Sequence, residues 1–496
     1  MDLITELEQH AARPALVADD RQLSFNELAH AARRVATGLY RLGLQRGDAL
    51  AVWLPTVPEW LTLLLAASRL GVLVVPLNTR YRAVEVRHVL HTTRARAVVI
   101  TSDFLGIDFA AILAEAAVDL PQAPLVIDGA AYAALADAPP WTAPSPDGQE
   151  ADLLCAFSTS GTTGNPKLAA HDQASVVRHS LHVAQAFDLG PGDVLLCALP
   201  LSGVFGFNAA LGALAGGACC LLQPVFDPAQ AASLIAEHSV THLFGSDAML
   251  HAILEHATSL GTTWRRGGVA NFAGLAGQVV SEAEQIGVQV TGLYGSSECF
   301  ALMAAWSPED PLPLRAQAGG VPISPEIEVR AVDPASGAVL APDQPGELQV
   351  RGYNVLQTYL NNPRATADAF TSDGWFRTGD LGSIDRQAGF LFSARLKDTL
   401  RLRGYLVDPA EIEEHLTRHP AVAAAQVVGV DRPGHGDLAV AFVRLHPGRS
   451  VTEADLLEHC ARGLAAYKVP RRIVFKTSLP RNAAGKLVRR DLRIER

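Results

Sequence analysis

Short apolar runs rich in Val, Ile and Leu alternate with longer helical segments, and this rhythm constrains the fold more than any other feature. The run "DALAVWLP" ends at Pro55 and the run "VLVVPLN" begins at Val72; both have the length and composition of buried strands. Between them, "PEWLTLLLAASRLG" is long enough for a helix, with Pro58 at its start and Gly71 at its end. Two buried strands joined this way are expected to pair in parallel as a βαβ unit. The pattern recurs at "ARAVVI", "APLVID", "DVLLCALP", "ACCLLQP", "THLFG" and "VQVTGLYG". Near-continuous apolar strands with Ala-rich helices between them predict an α/β body of layered, largely parallel sheets.

The character then changes. "DQPGELQVRGYNV" and "GWFRTGDLGSIDRQAGFLFSARLKD" carry frequent Gly and Asp turns and predict an antiparallel β unit. "PAEIEEHLTRHPAV", "AAQVVGV", "LAVAFVRL" and "TEADLLEHCARGL" predict a compact α+β tail of about 100 residues. The expected organisation is a large N-terminal domain over residues 1–396 and a small C-terminal domain over 397–496, with the boundary at Lys397.

At 496 residues, 49% of them hydrophobic and 19% charged, the chain can bury large cores and does not have the composition of a disordered coat. A net charge of −10 argues against general attraction to nucleic acid or to anionic membranes, so an anionic ligand must be held locally. The six cysteines lack CxxC spacing and read as buried thiols of a reducing compartment, with no metal cage. The N-terminus lacks a signal-peptide pattern, and Pro55, Pro58, Glu59 and Arg69 break the most apolar early segment before the roughly 20 residues that a bilayer span needs. A cytoplasmic protein without integral membrane contact is expected.

One stretch is out of keeping with this apolar chain. "STSGTTGNPK", Ser158 to Lys167, follows a strand and offers hydroxyls, unhindered backbone N–H groups and one ammonium, the components of a phosphate cradle. It differs from the P-loop of NTPases, because Lys167 follows "NP" and no Ser or Thr comes after it to hold magnesium. No GxSxG, HExxH or GxGxxG pattern supports a hydrolase, a zinc enzyme or a dehydrogenase.

The stretch resembles the nucleotide-binding signature of the adenylate-forming superfamily of acyl-CoA synthetases, aryl-CoA ligases, luciferases and peptide-synthetase adenylation domains. "YGSSE" from Tyr294, "GWFRTGDLG" from Gly374, "RLKDTLRLRGYLVDPAEIE" from Arg395 and "LPRNAAGKLVRRDLR" near the C-terminus resemble further motifs of that family, in its order. The resemblance implies an ATP-dependent acyl-CoA ligase using ATP, Mg2+ and coenzyme A: a carboxylic acid becomes an acyl-adenylate with release of pyrophosphate, and the acyl group then passes to CoA with release of AMP. It implies that Ser158, Thr159, Ser160, Gly161, Thr162, Thr163, Gly164 and Lys167 cover the β and γ phosphates, that Ser297 meets the α-phosphate, and that Glu298 holds Mg2+. Tyr294 is expected against adenine, Asp380 on the ribose hydroxyls, and Arg395 on ribose and phosphates. In the small, mobile C-terminal domain Lys397 is the expected hinge and Lys486 the adenylation lysine, while Gly404 and Tyr405 are expected along the pantetheine channel.

The expected acyl and adenine pocket comprises Gly203, Phe205, Phe207, Phe272, Gly274, Gly295 and Cys299. Gly203 in "LPLSGVFGFN" stands where the family often has a histidine, which opens the pocket mouth unless Phe205 or Phe207 fills the space. No aspartate near this run pairs an α-amine, so the substrate is expected to be an acid without one. The alternatives are an enzyme loading a carrier-protein pantetheine and an inactive nucleotide-binding module. The expected assembly is a monomer or homodimer.

Overall fold

The computed structural model describes residues 3–102, 104–118, 120–139, 148–159, 166–256, 263–385, 389–396, 400–402, 405–407, 409–432, 436–464, 468–480 and 492. The chain forms two compact units: one of Met1–Val329, Gln349–Arg377 and Gln387–Gly389, the other of Arg330–Leu348, Thr378–Arg386 and Phe390–Arg496.

The first unit is layered α/β. Its seven-stranded sheet runs in the order Thr358–Tyr359, Leu168–Asp172, Leu153–Ser158, Leu73–Pro76, Ala49–Trp53, Ala97–Ile100 and Leu125–Ile127. The expected βαβ unit is present: Ala49–Trp53 and Leu73–Pro76 pair in parallel and are joined by the helix Pro58–Leu70, which Gly71 ends in the left-handed conformation. A second sheet of this unit runs Gly319–Pro322, Ala304–Ala305, Gln289–Tyr294, Arg266–Ala270, His242–Ser246, Val194–Cys197, Cys219–Leu222, Pro14–Ala18 and Arg21–Ser24.

Period-two alternation explains why these strands are apolar throughout. Leu50 and Val52 face a core shared with Leu195, Cys197 and Cys220 of the second sheet, filled by the helices Phe25–Arg41, Pro58–Leu70, Gln173–Ala186 and Val204–Gly216. Ala49, Ala51 and Trp53 point the other way, into a core with the helices Ala83–Thr93 and Phe109–Ala117. Leu196, Ala198 and Leu221 lie under the helices Pro228–Glu237, Asp247–Leu254 and Ala276–Gln285. The central strands of both sheets are therefore covered on both faces, and the six cysteines are buried and outside any disulfide.

In the second unit, Phe376–Ile384 and Phe390–Arg395 pair antiparallel, with Asp380 opposite Arg395. The tail builds a three-stranded sheet from Val422–Arg432, Gly436–Leu445 and Arg472–Phe475. The helices Pro409–Thr417 and Glu453–Gly463 cover it, with Ile412, Leu416, Val427, Ala441, Leu456 and Cys460 in the core. Among the described residues no helix is long and apolar enough to cross a membrane.

Candidate active site

The strands on either side of the Ser/Thr/Gly stretch pair with each other. Strand Leu153–Ser158 pairs antiparallel with Leu168–Asp172, the last rung joins Ser158 to Leu168, and the Thr159 N–H closes the loop on the Lys167 carbonyl at 2.8 Å. A P-loop enters a helix whose N-terminus faces the phosphates; here the chain returns as a strand, so positive charge has to come from a side chain. Ser160, Gly161, Thr162, Thr163 and Gly164 lie outside the described residues. Thr159 is buried and Lys167 half-buried. The Tyr81 phenol, beside the Ser158 hydroxyl, is held above its ordinary pKa by burial, which the hydroxyl partly offsets.

A second loop leaves the C-terminal end of Gln289–Tyr294 in the other sheet, so both motifs sit where open α/β sheets place their ligands. Gly295 is required there: a Cβ would stand 2.5 Å from Ala301 Cα, because the chain folds back over it. The Ser296 hydroxyl accepts the N–H groups of Glu298 and Cys299, each at 3.2 Å, which sets the turn that carries Ser297 and Glu298. Phe300, Ala301 and Leu302 follow at φ 61°, 36° and 47°, a left-handed run that costs energy for residues with side chains.

Four buried side chains hold this loop by its carbonyls. His171 Nε2 donates to Ser297 O at 2.8 Å, Asn354 Nδ2 to Cys299 O at 2.9 Å, Asn208 Nδ2 to Phe300 O, and His179 Nε2 to Ala301 O at 2.8 Å. Each carbonyl acceptor requires a proton on Nε2, so the neutral rings are Nε2–H tautomers. Burial pushes His171 down to about 4 and His179 down to about 3. Phe300 stacks on His171 with ring centroids 4.1 Å apart.

The two loops meet on Tyr359, which is 4% exposed. Lys167 Nζ lies 4.3 Å from the centre of its ring, and its hydroxyl donates to Glu298 Oε1 at 3.1 Å. Glu298 Oε2 has no partner among the described residues. A carboxylate with one oxygen available is a hard donor that suits Mg2+, which takes one or two carboxylates and completes its shell with water and phosphate oxygens.

Asp247, fully buried, organises a third segment. Its carboxylate accepts the N–H groups of Phe272 at 3.2 Å, Ala273 at 2.8 Å and Leu275 at 2.8 Å, and so fixes the loop containing Gly274. Phe272 on that loop is 63% exposed. Gly203 precedes the helix Val204–Gly216 at φ −103° and ψ 139°, a conformation open to any residue, and a Cβ there would meet only Pro200 O at 3.5 Å. Phe205 is half-buried, whereas Phe207 sits in the core edge-on to Trp60 and Phe157. Tyr294 is 7% exposed and Cys299 is buried.

In the second unit, Arg395 Nε pairs with Asp380 Oδ1 at 2.9 Å, with Asp380 almost wholly buried. The Thr378 hydroxyl accepts the Asp380 N–H at 3.0 Å and donates to Leu348 O at 2.5 Å. Lys397, Gly404 and Lys486 lie outside the described residues, and Tyr405 contributes its backbone to the hairpin of Leu400–Leu402 with Tyr405–Val407.

The family model for AMP-binding enzymes matches residues 4–360, and that for the AMP-binding enzyme C-terminal domain matches 411–486. This chain belongs to the AMP-binding enzyme family. It is an adenylate-forming acid–thiol ligase of the acyl- and aryl-CoA type, a family that uses ATP, Mg2+ and CoA. The resemblance to relatives runs along nearly the whole of this AMP-binding enzyme. It is 33% identical to the Mycobacterium tuberculosis 3-[(3aS,4S,7aS)-7a-methyl-1,5-dioxo-octahydro-1H-inden-4-yl]propanoyl:CoA ligase, over 99% of this chain and 97% of that protein. It is 30% identical to 4-coumarate–CoA ligase 2 of Solanum tuberosum, over 98% and 92% respectively. The o-succinylbenzoate CoA synthetase of Bacillus subtilis, solved with ATP and magnesium ion, superposes with a TM-score of 0.85 at 28% identity, covering 99% of both chains.

His171, His179, Asn208, Tyr359 and Asp247 are not evident as site residues in the sequence. Only Asn208 leaves a signal there, as a lone amide inside the apolar helix "VFGFNAALGALAG".

Proposed function

We propose that this AMP-binding enzyme activates a ring-bearing carboxylic acid without an α-amino group and that its ATP phosphates face the hairpin loop, Lys167 and the Glu298 turn. The observation that carries this reading is the meeting of Lys167 and Glu298, from two different sheets, on one tyrosine. A carboxylate is not electrophilic enough for a thiol, so its oxygen first attacks the α-phosphorus and pyrophosphate leaves. The thiol of CoA then attacks the acyl carbonyl and AMP leaves. The first step gathers negative charge on the transferring phosphoryl group, and the Lys167 ammonium and Ser297 hydroxyl stabilise it from fixed positions. Bound Mg2+ supplies charge neutralisation at the phosphate oxygens, with Glu298 as its protein ligand.

Asp380 accepts from the ribose hydroxyls, and its pairing with Arg395 sets its orientation. Lys486 serves adenylation, Gly404 and Tyr405 serve transfer to the thiol, and Lys397 is the hinge between the two steps, with the domain boundary there. The open conformation of Gly203 supports a roomy acyl site, because no backbone constraint calls for glycine. The ring-bearing acids in the names of the octahydroindenyl-propanoyl and 4-coumarate ligases support the substrate class. Six buried cysteines outside any disulfide support a cytoplasmic setting.

A panel of aromatic, alicyclic and fatty acids, scored by AMP release with and without CoA, tests this reading. Ring-bearing acids should give the highest CoA-dependent turnover. Preference for linear fatty acids would contradict the substrate class, and acid-dependent adenylate formation without any thioester would point to a carrier protein as acceptor.

A further inference from the structure

Lys167 and Glu298 carry opposite charges and serve the same polyphosphate, so the default in an empty site is a direct ion pair that MgATP would have to break. No ion pair joins them among the described residues; Tyr359 stands between them. We propose that Tyr359 is a positioning residue that keeps Lys167 and Glu298 apart and aimed before ATP and Mg2+ arrive, an inference that rests on the assignment of those two residues to phosphates and metal.

The tyrosine is itself fixed from both sides. Its strand, Thr358–Tyr359, pairs with the strand that follows Lys167, with Tyr359 opposite Ala169, and the Leu360 N–H donates to Leu168 O at 2.9 Å. Just before that strand, the Leu356 N–H donates to Glu298 O at 2.8 Å. The Tyr359 N–H donates to Thr366 Oγ1 at 3.0 Å. One short edge strand therefore ties down both loops and places a ring with two distinct faces of chemistry between them. The π-face holds the ammonium, and the hydroxyl meets the carboxylate. Both interactions are weak enough to yield to a phosphate oxygen and a divalent cation, yet they keep each charge oriented, which lowers the ordering cost of binding.

The test uses the full-length enzyme in acid-dependent ATP–pyrophosphate exchange, with free Mg2+ and ATP varied independently. Tyr359→Phe keeps the ring and loses the hydroxyl, so the Mg2+ needed for half-maximal exchange should rise about threefold or more while the ATP KM moves less than about twofold. Tyr359→Leu loses both contacts and lets Lys167 and Glu298 pair, so both half-saturation values should rise about tenfold, with kcat at saturation falling far less. Unchanged Mg2+ and ATP requirements in a folded Tyr359→Leu enzyme would overturn the proposal, as would a pure kcat loss. If that variant does not fold, Tyr359→Phe decides: an unmoved Mg2+ requirement rejects the bridge. The underlying assignment is checked separately by Lys167→Ala and Glu298→Ala; loss of exchange in those variants with an unmoved Tyr359→Phe rejects the bridge alone.

Discussion

His179 donates its Nε2 proton to the carbonyl of Ala301 at 2.8 Å, and this bond holds in place one of three consecutive left-handed residues behind the Glu298 turn. The contact needs a proton on Nε2, and burial keeps the ring neutral. Burial lowers His179 to about 3 and His171 to about 4, from a reference of 6.5. The unfolded chain therefore binds more protons than the folded one below about pH 6.5, and stability falls as pH drops through that window toward the folded values. Each full shift corresponds to a few kcal/mol, at roughly 1.4 kcal/mol per pH unit. Replacing His179 by Gln offers a non-titrating N–H donor, so the fall in Tm between pH 6.5 and 5 should be shallower than in the wild type, as measured by thermal unfolding in matched buffers. Identical slopes would show that His179 does not carry this linkage.

Asp247 gathers backbone N–H groups of Phe272, Ala273 and Leu275 on a single buried carboxylate. Asp247→Asn turns one acceptor oxygen into a donor facing those N–H groups. Hydrogen bonds to a charged group contribute about 1.5–3 kcal/mol each, so the Tm should fall and the ATP KM should rise by about tenfold. A lowered Tm with unchanged KM for both ATP and acid would separate this loop from the site.

Gly203 has room and an ordinary backbone conformation, so Gly203→His or Gly203→Trp can be built without strain at that residue. The larger side chain should raise KM for the bulkiest accepted acid several-fold more than for a benzoate-sized one, because overpacking penalises the larger ligand. Equal effects across sizes would mean that Gly203 does not face the substrate.

The layered fold was readable because both-sided burial writes continuous apolar strands: "ARAVVI" and "VQVTGLYG" contain the observed strands Ala97–Ile100 and Gln289–Tyr294. The stretch Ser158 to Lys167 stood out as a motif, but the antiparallel pairing of the strands on either side of it did not, since "LAAHD" is too short to announce a returning strand. Of the supports of the Glu298 turn, only Asn208 left a mark in the sequence, as a lone amide in an apolar helix. His171 and His179 lie on consecutive elements, Asn208 and Asn354 far from them in sequence, and the four converge only after the strand Leu168–Asp172 and the helices Gln173–Ala186 and Val204–Gly216 have packed. Taken one at a time, each resembles a core polar residue with a local partner. Tyr359 was hidden for a related reason: its role depends on two loops from different sheets reaching the same ring.

Under the proposed function, Lys167 and Glu298 act on ATP and not on folding. Acid-dependent ATP–pyrophosphate exchange in Lys167→Ala and Glu298→Ala, with Tm measured on the same preparations, tests it most directly. Tm values should stay close to wild type and exchange should fall by ~10²-fold or more, the scale of removing one preorganised charge contact from a phosphoryl-transfer site. Exchange at the wild-type rate in both variants would contradict it.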